Sequence, residues 1–238
     1  MGPFLAALRH GFAEGLRAAR ENLLPALVIQ LLMAGLVAGY YLHWPTSALL
    51  GLLAEGRERG GPLFMFAASG ASGDLLSELC LVYFAQSGRW RRANVRNGAF
   101  KFLVLGASGL AGGYFYDFLG WLLGGQVTLP VVLAKTALDQ FVYSPFLPCP
   151  LMALLFHWRR QRYRAAAWGD LFSPDFVGGQ VIPVTVTNGC FWFPTVLCLY
   201  SLPVPLQYPL ALLATAIWGL LLVSVTARRH PELEVLQG

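Results

Sequence analysis

The stretch VVLAKTALDQFVYSPFLPCPLMALLF, residues 131–156, decides the fold of this chain. It is longer than the ~20 apolar residues that cross the hydrocarbon core of a bilayer, so it predicts a membrane-spanning helix. Lys135, Asp139 and Gln140 lie inside it. Because ionisable side chains are costly in a membrane, they are expected to pair with each other or to serve a function.

Three prolines follow these polar residues, at Pro145, Pro148 and Pro150. A proline inside a helix removes a backbone donor and kinks or breaks the helix. Backbone groups freed at membrane depth are tolerated where they are buried in protein or line a cavity. We therefore expect the helix over 131–156 to be broken by these prolines.

Composition places the whole chain in a membrane. Of its 238 residues, 56% are hydrophobic and 12% are charged, whereas a soluble domain carries roughly 25% charge. This predicts an all-α, polytopic integral membrane helical bundle. The net charge of +5 comes from short basic clusters between apolar spans, as orientation signals do. We therefore expect the lipid bilayer as a partner, with anionic lipids at the arginine clusters, and no nucleic acid.

Six apolar segments predict about six transmembrane helices. They cover approximately residues 23–42, 62–85, 102–123, 131–156, 181–202 and 209–226. Residues 1–22 are amphipathic and suit a helix that lies in the membrane interface. Residues 23–229 then form a single transmembrane domain. The tail 230–238 resembles the remnant of a protease cleavage site and is left out of the fold prediction.

The distribution of basic residues predicts the orientation. Only Arg57 and Arg59 fall on the outer side when the N-terminus is placed inside. The arginine and lysine clusters near residues 9–20, 89–101, 159–164 and 228–229 then all fall on the inner side. This is the asymmetry of the positive-inside rule. It predicts an even number of spans with both termini on the inner, cytoplasmic or matrix, side.

Lys135 and Asp139 are four residues apart and share one helix face. They predict either an ion pair that locks helix packing or the polar lining of a solute pathway. Asp74 and Glu78 share a face of the second segment in the same way. Because Lys135 cannot neutralise all three acids, we expect protonation, pairing across helices or a hydrated interior.

Two pairs of glycines have the GxxxG spacing that lets transmembrane helices approach closely. They are Gly35 with Gly39 in the first segment and Gly109 with Gly113 in the third. They predict helix packing, and they leave a homo-oligomer possible.

Several motifs together resemble the Mpv-seventeen family, also called the twenty-two-kilodalton peroxisomal membrane protein family. In chain order they are Gly73-Asp74, Asp139-Gln140 with Pro145, Phe193-Pro194, Val204-Pro205 and Ile217-Trp218. The resemblance covers roughly residues 66–229. The chain departs from the family pattern at Tyr200, Ser201 and Pro209, and Glu78 replaces a glutamine. Roles of the replaced residues therefore do not transfer.

The resemblance implies a small integral protein of the mitochondrial inner or the peroxisomal membrane, or of the cytoplasmic membrane in a bacterium. It also implies a channel or transporter for small solutes. With the charged residues, it favours a polar intramembrane pathway near Asp74, Glu78, Lys135 and Asp139. A structural or assembly protein is the alternative, and an intramembrane enzyme is a second one. Since no catalytic or metal-ligand spacing is present, we expect no enzyme, cofactor or metal.

Overall fold

The computed structural model describes residues 2–86 and 88–229 of the chain, and the predicted tail 230–238 lies outside them. Every regular element in these residues is a helix. The helices are α1 (Gly2–Glu21), α2 (Leu23–Tyr41), α3 (Thr46–Gly70), α4 (Leu76–Cys80), α5 (Arg92–Leu123), α6 (Leu129–Leu138), α7 (Ser144–Phe146), α8 (Pro148–Arg160), α9 (Pro174–Phe176), α10 (Ile182–Tyr200) and α11 (Val204–Arg229). Short π-helical turns join several of them, and a 3-10 helix spans Ala165–Phe172.

Five helical stretches are long and apolar enough to cross a membrane. They are Leu23–Tyr41, Ser47–Tyr83, Arg92–Leu123, Leu129–Arg160 and Pro174–Tyr200. A shorter apolar helix follows at Val204–Ile217. These helices indicate an integral membrane protein, whereas six spans and an inner location of both termini stay predictions.

Helix α3 begins before the second apolar segment, but it breaks at Gly61, so its second part begins at Pro62, where the sequence predicted. Helix α3 already starts at Thr46, whereas the apolar segment was expected from residue 62. The early part was missed because Glu55, Arg57 and Arg59 lower its apolar character. Gly61 separates the two parts with φ 53° and ψ −136°, a conformation that glycine adopts readily. Pro62 follows it as the start of the second part.

The third span also begins earlier, at Arg92 rather than at residue 102. The first turn is capped by Asn94, whose side-chain oxygen accepts a bond from the Arg91 backbone N–H at 3.1 Å. With 32 residues, the helix is about 48 Å long, longer than the ~30 Å hydrocarbon core. Its basic first turns therefore extend beyond the apolar part that hydropathy detects.

The chain forms two compact units. The first comprises Met1–Leu27 and Gln126–Ser201, and the second comprises Val28–Gly125 and Leu202–Gly238. The first boundary between the units lies inside α2, and the single transmembrane domain over 23–229 stays a prediction.

In the first unit, α1 packs against α10 and the turn before it through small residues. A Cβ atom added at Gly11 would lie 2.1 Å from the Gly178 carbonyl oxygen, and one at Gly15 would lie 2.6 Å from Val186 Cβ. The large side chains Phe4 and Phe12 stay exposed. The predicted amphipathic helix therefore packs through its glycines, and its aromatic residues point away from the unit.

In the second unit, α3 and α5 approach closely along a glycine face. A Cβ atom at Gly109 would lie 1.8 Å from Ser69 Oγ, and one at Gly113 would lie 2.5 Å from Met65 Sδ. Tyr208 of α11 completes the contact, because its hydroxyl group donates to the Met65 carbonyl at 2.6 Å. The Gly109–Gly113 pair therefore lies where the sequence placed a helix contact.

The other glycine pair differs. No atom of a described neighbour lies within 4 Å of a Cβ atom added at Gly35. Gly39, the other member of the pair, is buried. The close helix contact predicted at Gly35 is therefore not formed within the described part of the chain.

Replacing Gly109 by leucine should destabilise the protein, since the new side chain must displace Ser69 and its helix. Overpacking of this kind costs about 1–3 kcal/mol. Gly112→Leu is the matched control, because no atom of a described neighbour lies within 4 Å of a Cβ at that position. Thermal unfolding in detergent measures both. Equal melting temperatures for the two variants would contradict the packing described here.

Candidate functional site

The helix from α6 to α7 is polar on its buried side and apolar on its exposed side. Its buried side chains are mostly polar, namely Lys135, Thr136, Asp139, Gln140 and Ser144, with Val132 beside them. Its exposed side chains are apolar and include Leu129, Leu133, Phe141, Val142 and Phe146. A soluble helix has the opposite arrangement. The segment therefore exposes an apolar surface and presents a polar stripe to the protein.

Local sequence places this stripe. Helix α6 begins after the extended residue Thr128, with Pro130 in its first turn, a position that proline favours. The π-helical turn Asp139–Tyr143 follows directly, and such turns occur frequently at functional sites. The helix is interrupted at Leu147 (φ −125°, ψ −75°), between Pro145 and the Pro148 that starts α8. Pro150 lies in the first turn of α8.

Asp139 is the centre of the stripe. Its Oδ1 accepts hydrogen bonds from Gln140 Nε2 at 2.8 Å and from Ser144 Oγ at 3.3 Å. Its Oδ2 accepts a bond from the Tyr200 hydroxyl group at 2.6 Å. The carboxyl group is 4% exposed. These bonds satisfy most of its acceptor sites and tie the π-helical turn to the end of α10.

The predicted ion pair between Lys135 and Asp139 is not formed. Lys135 is 2% exposed, and among the described residues its ammonium group has neither a hydrogen bond nor an ion pair. The carboxylate instead binds Tyr200, Gln140 and Ser144. The packing role that the sequence suggested for this pair therefore lacks its main interaction.

Two further groups on the stripe have no partner. Thr136 Oγ1 and Gln140 Oε1 are buried and make no hydrogen bond among the described residues. They are four residues apart and so lie on the same helix face. A buried donor or acceptor left unsatisfied costs about 1–3 kcal/mol. Together with Lys135, these groups can donate to and accept from a water molecule or a small polar solute.

Glu78 has its own partners in the second unit. Its carboxylate accepts bonds from Lys101 Nζ at 2.9 Å and from Asn94 Nδ2 at 3.1 Å, and the residue is 5% exposed. Lys101 therefore neutralises Glu78, for which the sequence had suggested only Lys135 as a partner. The side chain of Asp74 lies outside the described residues. The predicted excess of intramembrane acid is consequently smaller than the sequence suggested.

A second polar contact in this unit joins Arg57 to α5. The guanidinium group donates to Asp117 Oδ2 at 2.6 Å and to the Gly113 carbonyl at 3.3 Å, and it lies 5.2 Å from the ring centroid of Tyr208. Sequence reasoning placed Arg57 in an outer loop and missed this contact. The helical spacing of the charged residues over 55–59 could have revealed the helix that carries Arg57. A search for apolar segments ignores charged residues.

His157 connects the end of α8 to the segment that follows. Its Nε2 lies 2.8 Å from Asp170 Oδ2, and its Nδ1 lies 3.2 Å from Gln180 Nε2. The described residues hold no group of three or more histidine, cysteine, aspartate or glutamate side chains that could bind a metal ion. The arrangement around His157 therefore joins chain segments within the first unit.

Replacing Tyr200 by phenylalanine should lower the free energy of unfolding by about 1 kcal/mol. Interhelical hydrogen bonds in membranes average about 0.6 kcal/mol and reach about 1.7 kcal/mol, and this bond is short and buried. Tyr114→Phe, at a side chain 51% exposed, is the control. Unfolding in mixed micelles checks the pair. If both variants unfold like the parent protein, the Tyr200–Asp139 bond does not hold α10 in place.

No family model matches the chain, and searches of curated proteins and of solved structures give no significant match. The resemblance to the Mpv-seventeen family therefore stays a prediction from its motifs.

Proposed function

We propose that this protein is a channel or transporter that passes small polar solutes along the buried polar face of α6 and α7. The single observation that supports this most strongly is the set of unpartnered polar groups on that face. Lys135, Thr136 and Gln140 are all buried there. A site made only for packing would satisfy such groups, because each of them lowers stability when it is left alone.

A pathway explains the same groups without this loss of stability. Water and passing solutes would supply hydrogen bonds to the ammonium group of Lys135, the hydroxyl group of Thr136 and the carbonyl group of Gln140 in turn. Polar residues inside membrane proteins commonly mark such routes. The proline-interrupted helix supports the proposal further, since discontinuous helices form the sites of many transporters.

Asp139 would have a positioning role in this pathway. Because its carboxylate is bonded to Tyr200, Gln140 and Ser144, it orients the Gln140 amide and leaves Oε1 free for a solute. It also places a carboxyl group one helical turn from Lys135.

Reconstitution in liposomes tests the proposal. We expect the purified protein to admit small polyols and ions, with a limit on solute size. Asp139→Asn should change the flux several-fold, because it replaces an acceptor oxygen by a donor and changes the bonding of Gln140. Asp117→Asn is the matched control, since it removes a carboxylate that is 48% exposed and paired with Arg57.

The readouts are osmotic swelling with polyols of increasing size and ion flux with a fluorescent indicator. Absence of flux from a protein whose helical content is intact would contradict the proposal. It would favour the structural or assembly role instead. Equal changes in the Asp139 and Asp117 variants would place the pathway away from α6.

A further inference from the structure

We infer that the turn after α8 binds anionic phospholipid head groups, and that the 3-10 helix after it rests on the apolar boundary of the same leaflet. This surface, called the arginine turn here, comprises residues 159–164, and the 3-10 helix spans Ala165–Phe172. The inference is independent of solute transport. It concerns the membrane as a binding partner.

The backbone of the arginine turn is held in an uncommon conformation. Arg162 has φ 51° and Tyr163 has φ 62°. Two backbone hydrogen bonds close the turn, from Tyr163 N–H to the Trp158 carbonyl at 2.9 Å and from Arg162 N–H to the Arg159 carbonyl at 3.0 Å. Glycine is the usual residue at such a helix end. Large side chains held here at positive φ point to a function that outweighs the strain.

The turn presents unneutralised positive charge. Arg160, Arg162 and Arg164 are exposed. Arg160 donates to Gln180 Oε1, whereas Arg162 and Arg164 have no partner among the described residues. The acidic groups of the neighbouring segment are Asp170, which is bonded to His157, and Asp175. The guanidinium group matches phosphate geometry and is weakly hydrated, so it suits a phospholipid head group.

Aromatic side chains lie directly beside this charge. The Trp158 ring centroid is 5.0 Å from that of Tyr163 and 5.8 Å from that of Trp168. Along the 3-10 helix, Trp168 is 47% exposed and Phe172 is 88% exposed. Tryptophan and tyrosine favour the boundary between head groups and acyl chains. The surface thus combines cationic side chains, which suit anionic head groups, with aromatic side chains, which suit the boundary beneath them.

The expected contribution can be stated as a change in affinity. Each basic residue near an anionic membrane surface strengthens binding roughly fivefold. Loss of Arg162 and Arg164 should therefore weaken binding of an anionic lipid roughly 25-fold. Because the contact is electrostatic, the difference should shrink as ionic strength rises.

Binding of fluorescent phosphatidylglycerol to the full-length protein in detergent tests the inference, with phosphatidylcholine as the competitor. The variant carries Arg162→Gln and Arg164→Gln. The control carries Arg17→Gln and Arg59→Gln, which removes two exposed charges that are each neutralised by a glutamate, Glu14 and Glu55. We expect roughly 25-fold weaker binding from the first pair and less than twofold from the control. Equal losses, or no loss, would overturn the assignment of the site.

Arg162→Gly separates lipid binding from folding. Glycine adopts positive φ without strain, so the melting temperature should stay equal or rise while affinity for phosphatidylglycerol falls roughly fivefold. A fall in the melting temperature with unchanged lipid affinity would make Arg162 a structural residue and overturn the inference.

Discussion

The first unit depends on one buried carboxyl group. Asp139 is only 4% exposed, and its bond to Tyr200 joins the π-helical turn to the end of α10. A buried carboxyl group at this position requires hydrogen-bond donors on the protein side of the helix. Gln140 and Ser144 of the polar stripe supply two of them, while Leu133 and Phe141 of the same helix are exposed.

Close approach of helices is the second constraint. Lipid gives apolar helices little reason to associate, so packing relies on small residues and interhelical hydrogen bonds. Gly11 and Gly15 let α1 pack closely against α10 and the turn before it in the first unit. Gly109 and Gly113 let α5 pack closely against α3 in the second. Each unit therefore combines a glycine contact with at least one buried polar bond. Large apolar side chains such as Leu24, Leu63 and Phe146 remain on the surface of the units.

Sequence reasoning predicted the parts that depend on local pattern. Apolar segments located helices that are long and apolar enough to cross a membrane, and the prolines marked the interruption near Leu147. It failed where partners are distant in the chain. Tyr200 bonds to Asp139 across 61 positions, and Lys101 bonds to Glu78 across 23. Such distant pairs leave no periodic pattern in the sequence. The i, i+4 spacing therefore suggested Lys135, and not Tyr200, as the partner of Asp139. The sequence analysis also missed helical residues where charged side chains lower the hydropathy, as at Glu55 and Arg57.

Water access to the stripe tests the account most directly. In a variant whose four native cysteines are replaced, single cysteines would be introduced at Thr136 and Gln140, and at Leu133 and Phe141 on the exposed face. The account predicts that a small charged thiol reagent modifies positions 136 and 140 of the liposome-reconstituted protein, while positions 133 and 141 stay unmodified in lipid. Unreactive thiols at both stripe positions in the folded protein would show a dry packing contact and contradict the proposed pathway.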